Sequence, residues 1–417
     1  MLPDFAKCTI FSIAEFAVRY KRRSAQNYFD NGGECDTITS EMCSDESGNK
    51  SGTQDGENYM KQNWKQRLIA AGVCGCLLLA SALPASAADF AEDITPDMTM
   101  QEIRSDPVMQ QSGLFLYGSF GEGTQWTRSR LENQTLQEYA WGQTVPETTA
   151  ALNLAAQNVK DGVQVTWQVY SPEETEADPS LGCVQLFYFP GSDPDGKYAI
   201  VMGGNALTIN GTFGEGLPTA WELHEKGYTV FVLRYRAWTD LGDNAPLQDL
   251  GNAVNFITAH AEQLRVQPED YAIVAYSSGA QVAGIFANQK RGYGAFGAQK
   301  PGALILGYPI VDFSIMKPVY HIVYDPTACG WRYYWTDLNQ AVDDDYPPVY
   351  FWRGDNDTIL GPDTSSYEAF EQALQKHGVT YQRTAFADAP HAVSIGRGTD
   401  ADGWLDDATA FWEEQVK

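Results

Sequence analysis

One short stretch carries residue types whose spacing suits nucleophilic chemistry. Residues 271–279 read Y-A-I-V-A-Y-S-S-G, and 280–287 follow with apolar residues at helical spacing. Four apolar residues, 272–275, therefore form a buried strand that feeds a tight turn and then a helix. A serine on such a sharp strand-to-helix turn is presented for attack when the residues two before and two after it are small. Ala275 and Gly279 meet that condition around Ser277. Around Ser278 the same positions hold Tyr276 and Ala280, and Tyr276 is too large, so Ser277 is the expected nucleophile. An ordinary turn without chemistry would read the same way, so its partners must decide.

Acyl transfer by a serine needs a base to take its proton, a carboxylate to orient the base, and donors for the oxyanion. The chain has 5 His. His224, His260 and His377 fall within predicted helices, where a solvated polar role suits them, whereas His391 stands in the loop 389–392; His321 is the remaining candidate. Carboxylates follow two predicted strands: Asp355 and Asp357 after 349–352, and Asp312 after 303–310. For the oxyanion, one N–H is expected from Ser278 and another from Gly203-Gly204-Asn205, which follows the strand 198–202. Paired glycines let a backbone come close to a substrate.

The elements that must position these groups alternate along the chain. Strands are read at 198–202, 229–233, 271–275, 303–310, 349–352 and 379–386, with helices at 217–226, 247–264, 367–377 and 404–412. Gly227 and Gly378 follow two of these helices as C-terminal stops. Such alternation predicts an α/β fold with a mainly parallel central sheet and helices on both faces. Upstream, 163–170 alternates as a half-wet strand and 183–189 is a second, with a turn at Asp193-Pro194-Asp195-Gly196 expected to close an N-terminal antiparallel hairpin. Within 88–160, short helices are expected at 99–108, capped by Thr99, and at 146–159.

These features together resemble the α/β-hydrolase superfamily, and within it the carboxylesterase group that includes acetylxylan and feruloyl esterase-like proteins. The resemblance spans roughly residues 162–415. The group's P-G-G-G-Y loop aligns with 202–206, and its F-V-L-R-Y-R element stands intact at 231–236. Its P-L-x-D element is Pro246-Leu247-Gln248-Asp249, its G-F-S-A-G-G turn aligns with 275–280, and its Y-P-V-V-D-F with 308–313. The chain departs from the pattern at Ala275, Asn205, Arg353 and Pro390. The resemblance implies the chain order serine, acid, histidine, which selects His391 over His321. Its H-G-x-x-D pattern after the 349–352 strand selects Asp357 over Asp355 and Asp312, with Arg353 in the histidine's place. The implied site is a Ser277–His391–Asp357 triad with Gly203, Gly204, Asn205 and Ser278 around the oxyanion, acting on carboxylic esters with short acyl or carbohydrate-linked groups.

An insert at 318–345 is rich in aromatics, and Trp331, Tyr334 and Trp335 there, with Tyr276 beside the nucleophile, are candidate substrate contacts; packing is their alternative role. No zinc-type spacing of cysteine or histidine occurs, so neither metal nor cofactor is expected. A prolyl-oligopeptidase-like peptidase shares the implied fold and triad, but the residues before 162 are too few for its propeller. An inactive hydrolase-fold binding protein usually lacks one of the three residues retained here.

The 417 residues carry a formal net charge of -26, which repels nucleic acid and anionic membrane. Residues 60–87 combine Lys61, Lys65 and Arg67 with an apolar run and an Ala85-Ser86-Ala87 end, the pattern of a secretory signal peptide. Its apolar run is too short to favour a stable membrane span. The mature protein is therefore expected to start after Ala87 and be secreted or extracytoplasmic, with 1–59 a mis-called or disordered extension, 88–160 a helical segment packed on the core, and 161–417 the hydrolase domain. Of the 7 Cys, Cys183 and Cys329 follow the cleavage point and are available as one disulfide pair.

Overall fold

The computed structural model describes residues 93–115, 133–140, 142–193, 196–204, 210–236, 244–312 and 337–417. The expected signal peptide, Asn205 and most of the aromatic insert lie outside them. Uninterrupted apolar runs such as Tyr198–Met202 and Ala303–Gly307 have no polar face to offer water, so they pair in the middle of a sheet. The strands are β1 (Thr166–Gln168), β2 (Gln185–Phe189), β3 (Tyr198–Met202), β4 (Thr229–Arg234), β5 (Ala272–Tyr276), β6 (Ala303–Gly307), β7 (Val349–Gly354) and β8 (Tyr381–Phe386). They form an 8-stranded sheet in the order β1-β2-β4-β3-β5-β6-β7-β8. From β4 to β8 neighbours pair in parallel; β1 with β2 and β2 with β4 are antiparallel.

The chain reverses its order at β3, so the strands β3 and β5 lie side by side although β4 intervenes in sequence. Their carboxyl ends open the crevice in which α/β sheets bind ligands. The side chains of β7 alternate between two helices. Phe351 packs on Phe370 of the helix Ser365–Lys376, with ring centroids 5.3 Å apart. Tyr350 and Trp352 pack on Trp404 of the helix Trp404–Gln415, at 6.2 and 5.4 Å. Helices therefore cover both faces.

Residues 194–195 of the expected hairpin turn lie outside the described residues, and β2 sits between β1 and β4. β1 and β2 pair antiparallel and are joined through the helix Pro172–Ala177 and a 3-10 turn, and β1 is only three residues long. The long helix expected at 247–264 runs from Ala245 to Ala259 and restarts at Ala261, because His260 leaves the helical region and its Nδ1 bonds the Phe256 carbonyl at 2.8 Å.

Residues 89–417 form one unit. Its upstream part contains the expected cap, on a helix expected at 99–108 that is instead two, Met100–Ser105 and Pro107–Ser112: Thr99 Oγ1 accepts the Glu102 N–H, and the Glu102 carboxylate accepts the Thr99 N–H. The helix Val145–Lys160 packs on the helix Leu217–Glu225, and Thr148 Oγ1 donates to the Phe213 carbonyl at 3.0 Å. Arg397, in the loop that follows His391, reaches Glu147 at 2.8 Å, Asp402 at 2.6 Å, and Glu222. Among the described residues, no helix is long and apolar enough to cross a membrane.

The exit of β4 is held by one buried ion pair. Asp249 accepts from the Arg236 backbone N–H at 2.7 Å, from its guanidinium at 2.8 Å, and from the Tyr170 hydroxyl at 2.8 Å. A buried guanidinium left without its carboxylate is strongly destabilising. Asp249→Ala is therefore expected to lower the unfolding free energy by about 3–5 kcal/mol in urea denaturation; a loss under about 1 kcal/mol would count the pair as energetically idle.

Candidate active site

Ser277 stands at the junction of β5 and the helix Ser277–Phe286, with φ 50, in the left-handed region that side chains other than glycine rarely adopt. That strain persists only where the surroundings impose it, and here they do. A Cβ on Gly279 would lie 2.6 Å from the Gly203 carbonyl oxygen, and one on Gly204 would lie 2.6 Å from Ser277 Cβ. The loop leaving β3 is thus pressed against the turn, and glycine at 204 and 279 is what permits the approach. The small residue inferred at 279 has this physical reason.

The three predicted side chains meet. Ser277 Oγ is 2.9 Å from His391 Nε2, and His391 Nδ1 is 2.7 Å from Asp357 Oδ2. The other Asp357 oxygen accepts the N–H groups of Ile359 and Leu360, both at 2.9 Å. The Asp357 side chain is fully buried while the His391 ring keeps a small opening to solvent. Asp355, the near rival for the acid, is exposed. Of the other histidines, His224 lies in a helix, His260 bonds the Phe256 carbonyl, and His377 pairs with Asp344 at 2.6 Å; His321 lies outside the described residues.

The loops that carry the acid and the base are shaped from below. Arg353 is buried, donates to the carbonyls of Gly361 at 2.6 Å and Asp363 at 3.1 Å, and lies over the Tyr367 ring. It thereby frames the segment that holds Asp357. A Cβ on Gly354 would overlap the Ala389 carbonyl, so glycine there lets the histidine loop descend onto the end of β7. Ala392 and Ser394 also have positive φ, at 62 and 54, so the loop turns sharply just after His391.

The oxyanion candidates divide. Ser278 sits in the first turn of the helix Ser277–Phe286, where N–H groups and the helix dipole favour negative charge. Gly203 leaves β3 beside the turn, with its carbonyl accepting the Tyr235 hydroxyl at 2.6 Å. Gly204 is a correction: its N–H is turned away from the expected role and donates to Glu215 Oε2 at 2.6 Å. Asn205 lies outside the described residues, as do Trp331, Tyr334 and Trp335. Tyr276 is a second correction. It is fully buried, its hydroxyl is paired with Thr219 Oγ1 at 2.6 Å, and its ring packs on Tyr308 and Trp404, so it supports the turn instead of contacting substrate.

Sequence reasoning missed Glu215, Tyr308 and Ser394. Glu215 Oε1 accepts the Tyr308 hydroxyl at 2.8 Å, and the Tyr308 oxygen accepts the Ser394 N–H at 3.0 Å. The Tyr308 ring is 4.8 Å from the His391 ring. Burial pushes the Glu215 carboxyl up to about 7; its bonds to Gly204 and Tyr308 and the charge of His391 oppose that rise. The signal was a single glutamate inside the glycine-rich, otherwise uncharged run 211–217. Among the described residues, no group of three or more His, Cys, Asp or Glu is placed to hold a metal ion.

Comparison with known proteins agrees with this architecture. Residues 192–317 match the BD-FAE family model, an α/β-hydrolase esterase family; the matched segment includes Gly203, Gly204 and Ser277 and ends before Asp357 and His391. A curated relative, endo-1,4-β-xylanase B of Butyrivibrio fibrisolvens, is 25% identical over 206 residues, which cover 46% of this chain and 31% of that protein. Among solved structures, an acetyl ester-xyloside bifunctional hydrolase from Caldicellulosiruptor lactoaceticus superposes with a TM-score of 0.50 at 18% identity, over 60% of this chain and 95% of that one. The carboxylesterase Cest-2923 from Lactobacillus plantarum WCFS1 gives 0.46 at 19%, over 56% and 92%. The eight-stranded sheet and the superposition at a TM-score of 0.50 show an α/β-hydrolase fold, within which residues 192–317 match the BD-FAE family model.

Proposed function

We propose that the protein is an exported carboxylic ester hydrolase that works through an acyl-enzyme on Ser277. The observation that carries the reading is the continuous hydrogen-bonded chain from Ser277 Oγ through His391 to Asp357, on a turn that holds the serine strained. A serine hydroxyl is a poor nucleophile until a neighbouring base takes its proton. His391 Nε2 is in reach to do so as Ser277 Oγ attacks the ester carbonyl. Asp357, fixed by two backbone N–H groups, orients the imidazole and stabilises its charged form. The developing oxyanion is met by the Ser278 N–H at the positive end of the helix. His391 then returns the proton to the departing alcohol, and a water deprotonated by the same nitrogen releases the acid.

The substrate class follows from the company the sequence keeps. The curated relative is named a xylanase and one fold neighbour an acetyl ester-xyloside hydrolase. A short acyl group on a carbohydrate is the reading these names support. Export rests on residues 60–87, with Lys61, Lys65 and Arg67 ahead of the apolar run and Ala85-Ser86-Ala87 at its end. Mass spectrometry of the secreted protein is expected to find Ala88 as its first residue; an uncleaved Met60 or Met1 would reject this part.

Ser277→Ala and His391→Ala are each expected to lower kcat for p-nitrophenyl acetate by about 10⁴-fold or more, and Asp357→Ala by about 10⁴-fold. The double variant Ser277→Ala/His391→Ala should be no worse than either single change, because the groups act as one unit. Undiminished activity in Ser277→Ala would reject the assigned nucleophile. Acetylated xylan should be turned over and peptides left intact; the reverse would favour a serine peptidase.

A further inference from the structure

Glu215 is a buried carboxylate that the acyl-transfer chemistry above does not use. It lies in the π-helical turn Thr212–Gly216 and is 1% exposed. Among the described residues no Lys or Arg is within ion-pair distance of it. A buried carboxyl without a basic partner is expensive to keep, and a glutamine or an apolar residue would fill the same volume. The surroundings are nevertheless built for it. A Cβ on Gly211 would lie 2.5 Å from Glu215 Oε2, so glycine there leaves room for the carboxylate. Its two oxygens are divided between two loops. Oε2 takes the Gly204 N–H at 2.6 Å, and Oε1 takes the Tyr308 hydroxyl at 2.8 Å. Tyr308 in turn accepts the Ser394 N–H at 3.0 Å, three residues beyond His391.

Gly204 presses on Ser277, and Ser394 closes the turn that presents His391. We propose that Glu215 is a positioning residue for the acyl-transfer step: one carboxylate ties the loop after β3 to the histidine loop and so sets the approach of Ser277 to His391. This rests on the ester-hydrolase reading above. Tyr308, itself at φ 37, is the second member of the tie, and its ring against His391 makes the coupling direct.

The test uses the full chain as wild type, Glu215→Gln, Tyr308→Phe and the double variant. Glutamine keeps the size of the side chain and phenylalanine removes only the hydroxyl. Each single change is expected to lower kcat for p-nitrophenyl acetate by about 10- to 100-fold. KM should stay within about twofold. The double variant should be no worse than the poorer single, as expected of residues in one network. A kcat within about twofold of wild type in both singles, or losses that multiply in the double, overturns the proposal. A wild type that neither hydrolyses esters nor reacts with a fluorophosphonate at Ser277 would instead be a failure of the ester-hydrolase reading. Amide hydrogen exchange then decides the tie: exchange at Gly204 and Ser394 should quicken by about tenfold or more in Glu215→Gln, and unchanged exchange overturns it.

Stability against pH gives an independent reading of the same carboxylate. The groups facing it are Gly204, Tyr308, Tyr276 and His391. An unfolded glutamate ionises near its ordinary value of 4.5, whereas the folded Glu215 holds its proton to about 7. Between those values the folded state binds more protons, so stability falls as pH rises. The thermal midpoint of the wild type should therefore decline relative to Glu215→Gln from about pH 5 to pH 8. Parallel curves would mean that no buried carboxyl titrates here and would overturn the assignment.

Discussion

The whole site depends on the close approach of two stretches of backbone. The loop leaving β3 meets the turn after β5 at distances that only glycine tolerates at 204 and 279. The reversal of strand order is what makes β3 and β5 neighbours, and their parallel register aligns Met202 with Ala275. From that register the two loops emerge at the same height above the sheet. Ser277 accepts a left-handed backbone because moving it would drive the turn into the neighbouring loop. Strain at one residue is thus held by the pairing of whole strands.

Support beneath the site comes in an aromatic layer and in buried charged or polar groups. Tyr276, Tyr308, Trp352 and Trp404 pack edge-on or tilted against one another, filling the space between the carboxyl ends of β5, β6 and β7 and the last helix. Aromatic edges and faces attract at such angles, so the layer has preferred geometry and not just bulk. Arg353 follows Trp352 of this layer in the chain, and Glu215 accepts the hydroxyl of Tyr308. The first clamps the loop of the acid by its carbonyls, and the second holds an N–H of the loop beside the nucleophile. A guanidinium is used on carbonyls and a carboxyl on an N–H for the same purpose.

Much of this was legible in the sequence, for reasons that lie in short-range physics. Short apolar runs marked β3, β5 and β6, because a strand buried on both faces has no room for a polar side chain. Ser277 was legible because the turn excludes large neighbours. His391 and Asp357 were reached only with the help of the resemblance, since nothing local distinguishes Asp357 from Asp355. What was illegible depends on contacts distant along the chain. The Gly204 N–H looked available until Glu215, 11 residues on, was seen to accept it. Tyr276 looked like a substrate contact from its place beside the serine, but the helix Trp404–Gln415 covers it. The antiparallel partners of β2, the strands β1 and β4, are decided by sheet order, which a turn signal does not report.

The segment before β1 takes part in the same architecture. Thr148 holds the Phe213 carbonyl, Tyr139 sets its ring against Phe213, and Glu147 reaches Arg397. Phe213 belongs to the turn that carries Glu215, and Arg397 to the loop that follows His391. The body that holds the candidate site therefore has no clean seam at residue 160. A shortened protein begun at the first strand would lose the buttress behind both loops, and one confined to 192–317 would lack Asp357 and His391 altogether. The unit formed by residues 89–417 is larger than the stretch that similarity alone delineates, and it includes the helix Val145–Lys160.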